Sequence, residues 1–267
     1  MEVSRSGYYR YLETQKKPKK TADELLKVEI CALNKRYRSS YGSRRMVAAM
    51  EKKGYKIGRY KARSLMQQAG ISCIQRRRYK VMPTKDSPTF LGCNLLNRQF
   101  NVSEPNKLWF ADITMLPTRE GWLHLACLLD AFSRRAIGWY FSCHPDAELV
   151  INAFNMAIHN RKPGVGVMLH SDRGIQYTSA QYQAILQASN VIISLSRKGN
   201  CWDNAVMERF FGSLKSEWLG NTKNKTNAEV IVDIIDFIEN FYNKERMHST
   251  LGYLSPIEFE VAYQNTS

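Results

Sequence analysis

The chain has 267 residues, 44% of them apolar, with five Trp and fourteen Tyr, enough to bury a core and unlike a disordered chain. The formal net charge is +15, and it is unevenly spread. Residues 1–100 carry 24 Lys/Arg against 7 Asp/Glu, whereas residues 101–267 carry 15 against 17; all the excess positive charge therefore sits in the first hundred residues, as expected of a module that meets a polyanion such as nucleic acid.

No run of eighteen apolar residues occurs, so no membrane-spanning helix is expected. The start, Met1-Glu2-Val3-Ser4-Arg5, lacks a secretory h-region, and a cytoplasmic location is expected. The six cysteines (Cys31, Cys73, Cys93, Cys127, Cys143, Cys201) form no CxxC pair, which argues against a zinc site or a disulfide framework.

Residues 15–20, Gln-Lys-Lys-Pro-Lys-Lys, read as a basic, helix-breaking connector. A helix is expected from Thr21 as N-cap, with Glu24 three residues on, to about Tyr37, with Leu25, Leu26, Val28, Ile30 and Leu33 as its apolar residues. A second helix follows from Ser43 to about Lys53, with Val47 and Met50 inward. A third runs from Gly58 to about Ala69, with Leu65 and Met66 inward and Gly70 as its stop. Two short helices joined by a Gly-containing turn, the second bearing Arg59, Tyr60, Lys61 and Arg63, suggest a DNA-binding helix-turn-helix. The alternative is a basic hairpin that packs on the next domain. The domain division is thus 1–71 basic helical module, 72–103 linker (with Arg76-Arg77-Arg78 and breakers Pro83 and Pro88), and 104–267 catalytic core with a C-terminal helical extension.

From Leu108 the pattern changes. Leu108–Met115, Trp122–Leu129 and Arg135–Phe141 read as three antiparallel strands, the last two joined by a tight turn at Asp130. A helix over 146–160, a strand from Val165 to His170, a helix from Ser179 to Ala188 and a strand from Val191 to Leu195 follow. Ser196 to Trp202 is a polar loop. Asp203 is placed to cap a helix reaching about Leu219, and another helix spans 227–243. The order β-β-β-α-β-α-β-α is that of a ribonuclease H-like α/β fold, a mixed five-stranded sheet flanked by helices. Trp109, Trp122 and Trp139 are expected in the core.

Three acids fall at telling places. Asp112 lies mid-strand between Ala111 and Ile113, where an unpaired carboxylate is costly. Asp172 follows the end of an apolar strand, and Glu208 lies one turn into the next long helix, with Glu217 its competitor. Asp130, Asp146 and Asp203 read as turn or cap residues. In a ribonuclease H-like sheet the first and fourth strands are neighbours, so three carboxylates would converge. They would need a cation, and oxygen ligands suit Mg²⁺ or Mn²⁺. Two ions roughly 4 Å apart can activate a nucleophile and stabilise a leaving oxygen at phosphorus.

The spacing carries a resemblance. Thirty-five residues separate Asp172 from Glu208, and Lys215 follows Glu208 by seven. This resembles the D,D(35)E pattern of retroviral integrases and related transposases, and it selects Glu208 over Glu217. The runs His170-Ser171-Asp172-Arg173-Gly174, Trp202-Asp203-Asn204-Ala205, Lys215-Ser216-Glu217 and Tyr242-Asn243-Lys244-Glu245-Arg246-Met247-His248 are similar to the OrfB transposases of insertion-sequence family three, as are Ser6-Gly7-Tyr8-Tyr9-Arg10 and Tyr41-Gly42-Ser43-Arg44-Arg45. The resemblance implies a metal-dependent DNA transposase with two Mg²⁺ per site, Mn²⁺ as substitute, held by Asp112, Asp172 and Glu208. It implies cleavage and strand transfer at terminal inverted repeats into target DNA, by a copy-out, paste-in route. It further implies an OrfA partner, as a frameshift fusion, and a homo-oligomer on DNA. A ribonuclease H-type nuclease without strand transfer and a catalytically silent DNA-binding regulator are the other readings.

Further DNA contacts are expected from Lys215, from Asn204 (a carboxylate or phosphate partner, or a second cap), and from Arg197 and Lys198 in the polar loop. Arg246 and His248 are expected to meet phosphate. Gln176 and Tyr177 are placed to touch substrate, with packing the alternative for Tyr177, and His170 is expected to support its strand end.

Overall fold

A computed structural model describes residues 4–16, 19–74, 102–196 and 204–266. The chain divides into two compact units, Met1–Gln75 and Arg76–Ser267. No described helix is long and apolar enough to cross a membrane.

The first unit is helical: α1 (Arg5–Lys16), α2 (Lys19–Arg36), α3 (Ser43–Lys52) and α4 (Arg59–Gln68). Within the expected basic connector at 15–20, the described residues Gln15, Lys16, Lys19 and Lys20 are helical. Thr21 lies inside α2 and not at its cap, because the Lys residues around it are good helix formers. The buried stripe of α2 is Ile30 and Leu33, continued by Tyr37 just beyond it, with Leu26 partly covered; Leu25 and Val28 lie off this stripe and are exposed. Met46, Ala49 and Met50 of α3 meet Ala62, Leu65 and Met66 of α4 in the small core. Gly70, at φ +67°, ends α4 in a backbone conformation that favours glycine.

The second unit is built on a five-stranded sheet of order β3-β2-β1-β4-β5. Its strands are β1 (Leu108–Thr118), β2 (Gly121–Asp130), β3 (Ala136–Ser142), β4 (Met168–Ser171) and β5 (Ile192–Leu195). The first three form an antiparallel meander, while β4 and β5 run parallel to β1. The expected mixed sheet is observed, with β1 and β4 adjacent.

Side chains alternate across β1. Trp109 and Ala111 face a core shared with Ala126, Leu128, α5 (Ala147–Arg161) and α6 (Ala180–Ala188). Gly138 lets α5 lie against β3. A β-carbon there would stand 2.4 Å from the Ala153 carbonyl oxygen and 2.7 Å from the Ala157 nitrogen. Asp146 caps α5 through Leu149 N, as expected of a cap residue.

α7 (Ala205–Ser213) packs on β1 and continues as a π-helical turn, Leu214–Leu219. α8 (Asn227–Asp236), started by a Thr226–Glu229 capping box, likewise continues as a π-helical turn, Phe237–Tyr242. These turns meet where Trp218 stacks on Phe241 at 4.7 Å. Finally, α9 (Pro256–Gln264) is held by a buried ion cluster. Glu260 accepts from Ser133, Arg135 and Arg161, and Arg161 also reaches Asp130 at 3.1 Å. Asp130 thus shapes its turn, through Phe132 N, and anchors the far end of the chain.

Candidate active site

Asp112 sits in the open half of β1. The β1–β4 ladder ends at the pair Phe110–His170, because β4 stops at Ser171. Two residues further along each chain stand Asp112 and Asp172, so the sheet register brings them level. The Asp112 carboxylate accepts from Ile113 N at 2.8 Å, and its cross-strand neighbour is Cys127. Asp172 is set by a tight turn in which its Oδ1 accepts from Gly174 N at 2.8 Å. His170, fully buried, binds Ser194 Oγ through Nδ1 at 2.9 Å and so ties β4 to β5, the supporting role expected of it.

Glu208 lies in the first turn of α7, exposed to solvent, and Lys215 lies in the π-helical turn beyond it. Electrostatics joins the four groups. Burial and the charges of Asp172 and Glu208 push the Asp112 carboxyl up to about 8, against the pull of Ile113 N–H and the Lys215 ammonium. Asp172 is also raised, by burial, with the Gly174 N–H opposing. Burial lowers Lys215, and the Asp112 charge resists that shift. The competing acid is spent elsewhere. Glu217 binds Arg246 by two bonds of 2.8 and 2.7 Å, and both side chains are buried.

Among the described residues, no three His, Cys, Asp or Glu side chains already form a tight metal cage. The donor chemistry nevertheless fits a hard divalent cation. A carboxyl raised by burial and by two like charges is relieved by positive charge, and all three donors are oxygens.

Two integrase core domain families match residues 102–201 and 189–256, and an HTH-like domain family matches residues 20–79. The transposase InsF of insertion sequence IS3A from Escherichia coli (strain K12) is 34% identical over 266 residues, covering 97% of this chain and 91% of the relative. The chain belongs to the IS3 family of insertion-sequence transposases. A 31 kDa protein of insertion element IS600 from Shigella sonnei is 38% identical over 261 residues, 98% of this chain and 96% of that one. Among solved structures, the HTLV-2 integrase catalytic core domain in complex with magnesium (trimeric form) aligns with 60% of this chain and 99% of its own, at 13% identity and a TM-score of 0.45.

In this IS3-family chain the remaining site residues divide clearly. Arg59, Tyr60, Lys61 and Arg63 all lie exposed on the first turns of α4, Tyr60 at 88%. Lys61 is ion-paired with Asp23 of α2. Asn204 stands at the start of α7 but makes no capping bond. It is buried, and its amide oxygen has no hydrogen-bond partner among the described residues. Arg197, Lys198 and Asp203 lie outside the described residues.

Two expectations, for Arg246 and Trp122, are corrected. Arg246 is buried, bound to Glu217 and Ser213 and set over the Tyr242 ring, so it braces the π-helical turns and does not face phosphate. His248 is partly covered and packs edge-on against Tyr242 at 5.1 Å. Trp122, at the β1–β2 hairpin, is 57% exposed and not core, because it lies near the free end of β2, whereas Trp109 and Trp139 are buried. Gln176 is held by the Pro145 carbonyl, and the Tyr177 ring is core.

One residue went unnoticed in the sequence. Arg173 Nε donates to the Ser196 carbonyl at 2.8 Å, fixing the point where the polar loop leaves β5. An arginine directly after the second acid was its only signal.

Proposed function

We propose that this chain is a metal-dependent DNA transposase that cleaves one strand at the ends of its insertion sequence and joins it to DNA. The observation that carries the reading is the β1–β4 register, which sets Asp112 level with Asp172 in an integrase core, where burial and the charges of Asp172 and Glu208 raise the Asp112 carboxyl to about 8. Asp112, Asp172 and Glu208 would hold Mg²⁺, with Mn²⁺ as substitute and two ions per site. Bound there, the ions supply charge neutralisation at phosphorus and a lowered pKa for the attacking hydroxyl.

The other residues bind and orient. Lys215, one segment beyond Glu208, meets the phosphate next to the scissile bond. Arg59, Tyr60, Lys61 and Arg63 of the 1–71 module meet element-end DNA, joined by the 72–103 linker to the 104–267 core. Arg197 and Lys198 meet DNA, and Asn204 contributes its free amide oxygen. The active form is an oligomer on terminal inverted repeats, assembled with OrfA or as its frameshift fusion.

Product analysis separates this from the nuclease reading. Element-end DNA incubated with the protein and Mg²⁺ should yield strand-joined products as well as nicks. Nicks alone, under conditions where the ends are bound, would leave a nuclease; no cleavage of bound ends would leave a DNA-binding regulator.

A further inference from the structure

α4 of the first unit presents different side chains on different faces. Its inner face, Ala62, Leu65 and Met66, is buried against α2 and α3. Residues at i, i+4 and i+7 share one face of a helix. Tyr60, Ser64 and Gln67 form such a row on the side turned away from that core, and all three are exposed. Tyr60, at 88%, is the most exposed large apolar side chain among the described residues. Gln68 Nε2 donates to Ser64 Oγ at 3.2 Å, which steadies the hydroxyl and leaves its proton to give.

The charge lies beside this row and not on it. Arg59 and Arg63, four residues apart, run along one flank of α4, and Lys61 lies on the other, ion-paired with Asp23 of α2. Residues 1–100 carry 24 Lys/Arg, yet the outermost row of α4 is neutral. Neutral donors and acceptors do little against the charge of phosphate, but they match the edges of bases. The row spans seven residues, about 10 Å of helix axis, or roughly three stacked base pairs. A helix lying in the major groove meets base edges with the ridge that faces the groove floor and phosphates with its flanks.

We propose that α4 reads DNA sequence through Tyr60, Ser64 and Gln67, with Arg59 and Arg63 gripping phosphate beside them, and that Gln67 selects an A·T pair. A glutamine amide donates to adenine N7 and accepts from adenine N6, a two-bond match specific to that base. The Ser64 hydroxyl, held by Gln68, donates to a neighbouring base acceptor, and the Tyr60 ring covers an apolar edge such as a thymine methyl. The proposal rests on the reading of the 1–71 module as DNA-binding, and it makes this chain itself a reader of sequence.

Selection of duplexes from a randomised DNA pool by the full chain, in chelator so that no strand is cut, tests it. The parent should draw out a consensus with an A·T pair for which Gln67→Ala loses about 10-fold of the preference, while the rest of the consensus and the salt dependence of binding stay. Gln67→Glu should move the preference at that pair from A to C, whose N4 amino group a carboxylate accepts from; a glutamine with a merely structural role would not give this switch. Arg59→Ala should weaken binding to selected and scrambled duplexes alike and keep the consensus. A parent that draws out no consensus, or a Gln67→Ala consensus equal to the parent's, overturns the readout and leaves the arginine contacts standing. An unchanged consensus with weakened OrfA binding overturns it too, making the row a protein surface. If Arg59→Ala and Arg63→Ala bind DNA as the parent does, the DNA-binding reading of the module falls as well.

Discussion

Asp112 and Asp172 come from segments sixty residues apart in sequence, yet each lies two residues beyond Phe110–His170, the last pair of the β1–β4 ladder. Because β4 stops one residue before Asp172, the second acid leaves the sheet beside a strand that continues. The acids are level, near and free of a ladder hydrogen bond to each other, so they confront one another as charges.

Burial of Asp112, together with that confrontation, has a pH signature in metal-free protein. The Asp112 carboxyl is raised in the folded state to about 8, whereas its ordinary value is 3.8. Between these values the folded chain holds a proton that the unfolded chain has released. The stability this confers is complete below the unfolded value and is lost as pH rises through the folded one. Unfolding temperature in chelator should therefore fall between about pH 4 and pH 8 through this group, and Asp112→Asn should flatten that fall. Equal slopes in the two proteins would show that Asp112 is not raised.

Arg246 is expected to matter for folding. Arg246→Ala leaves Glu217 charged and buried without its partner, a change that typically costs about 3–5 kcal/mol. Urea unfolding should show a loss of that order, with most of it recovered in the double variant Glu217→Leu, Arg246→Met. A loss below about 1 kcal/mol, the scale of an exposed pair, would mean that the pair is solvated.

The contact between β3 and α5 gives a second stability test. Gly138→Ala inserts a methyl group where backbone atoms stand closer than any side chain can approach. Destabilisation of about 1–3 kcal/mol or more is expected, since the helix must move. An unfolding midpoint equal to the parent's would contradict the close approach.

For the basic module, Arg59→Ala and Arg63→Ala should each weaken DNA binding and lower the slope of log K against log salt by about 1, the signature of one lost phosphate contact. Unchanged slopes would assign α4 to packing or to another surface.

The sheet was legible in the sequence because its strands are apolar runs bounded by turn residues, and β1 to β5 appear within a few residues of their expected positions. The acids were legible by spacing and by their odd setting, Asp112 above all. Burial choices among similar residues were not. Leu25 and Ile30 look alike on a helix, and only the position of α3 and α4 decides that Ile30 is covered. Arg246 reads as a phosphate ligand because it is basic and lies in a polar stretch, whereas its partner Glu217 is twenty-nine positions earlier. The π-helical turns that bring them together leave no mark in the hydrophobic pattern.

The most direct test of the three acids is the rate of strand transfer in Mg²⁺, measured with element-end DNA at saturating protein. Asp112→Asn, Asp172→Asn and Glu208→Gln should each reduce it by orders of magnitude while still binding the DNA, and Glu217→Gln, if it folds, should keep activity well above theirs. Parent-like strand transfer by any of the first three would remove that acid from the active site.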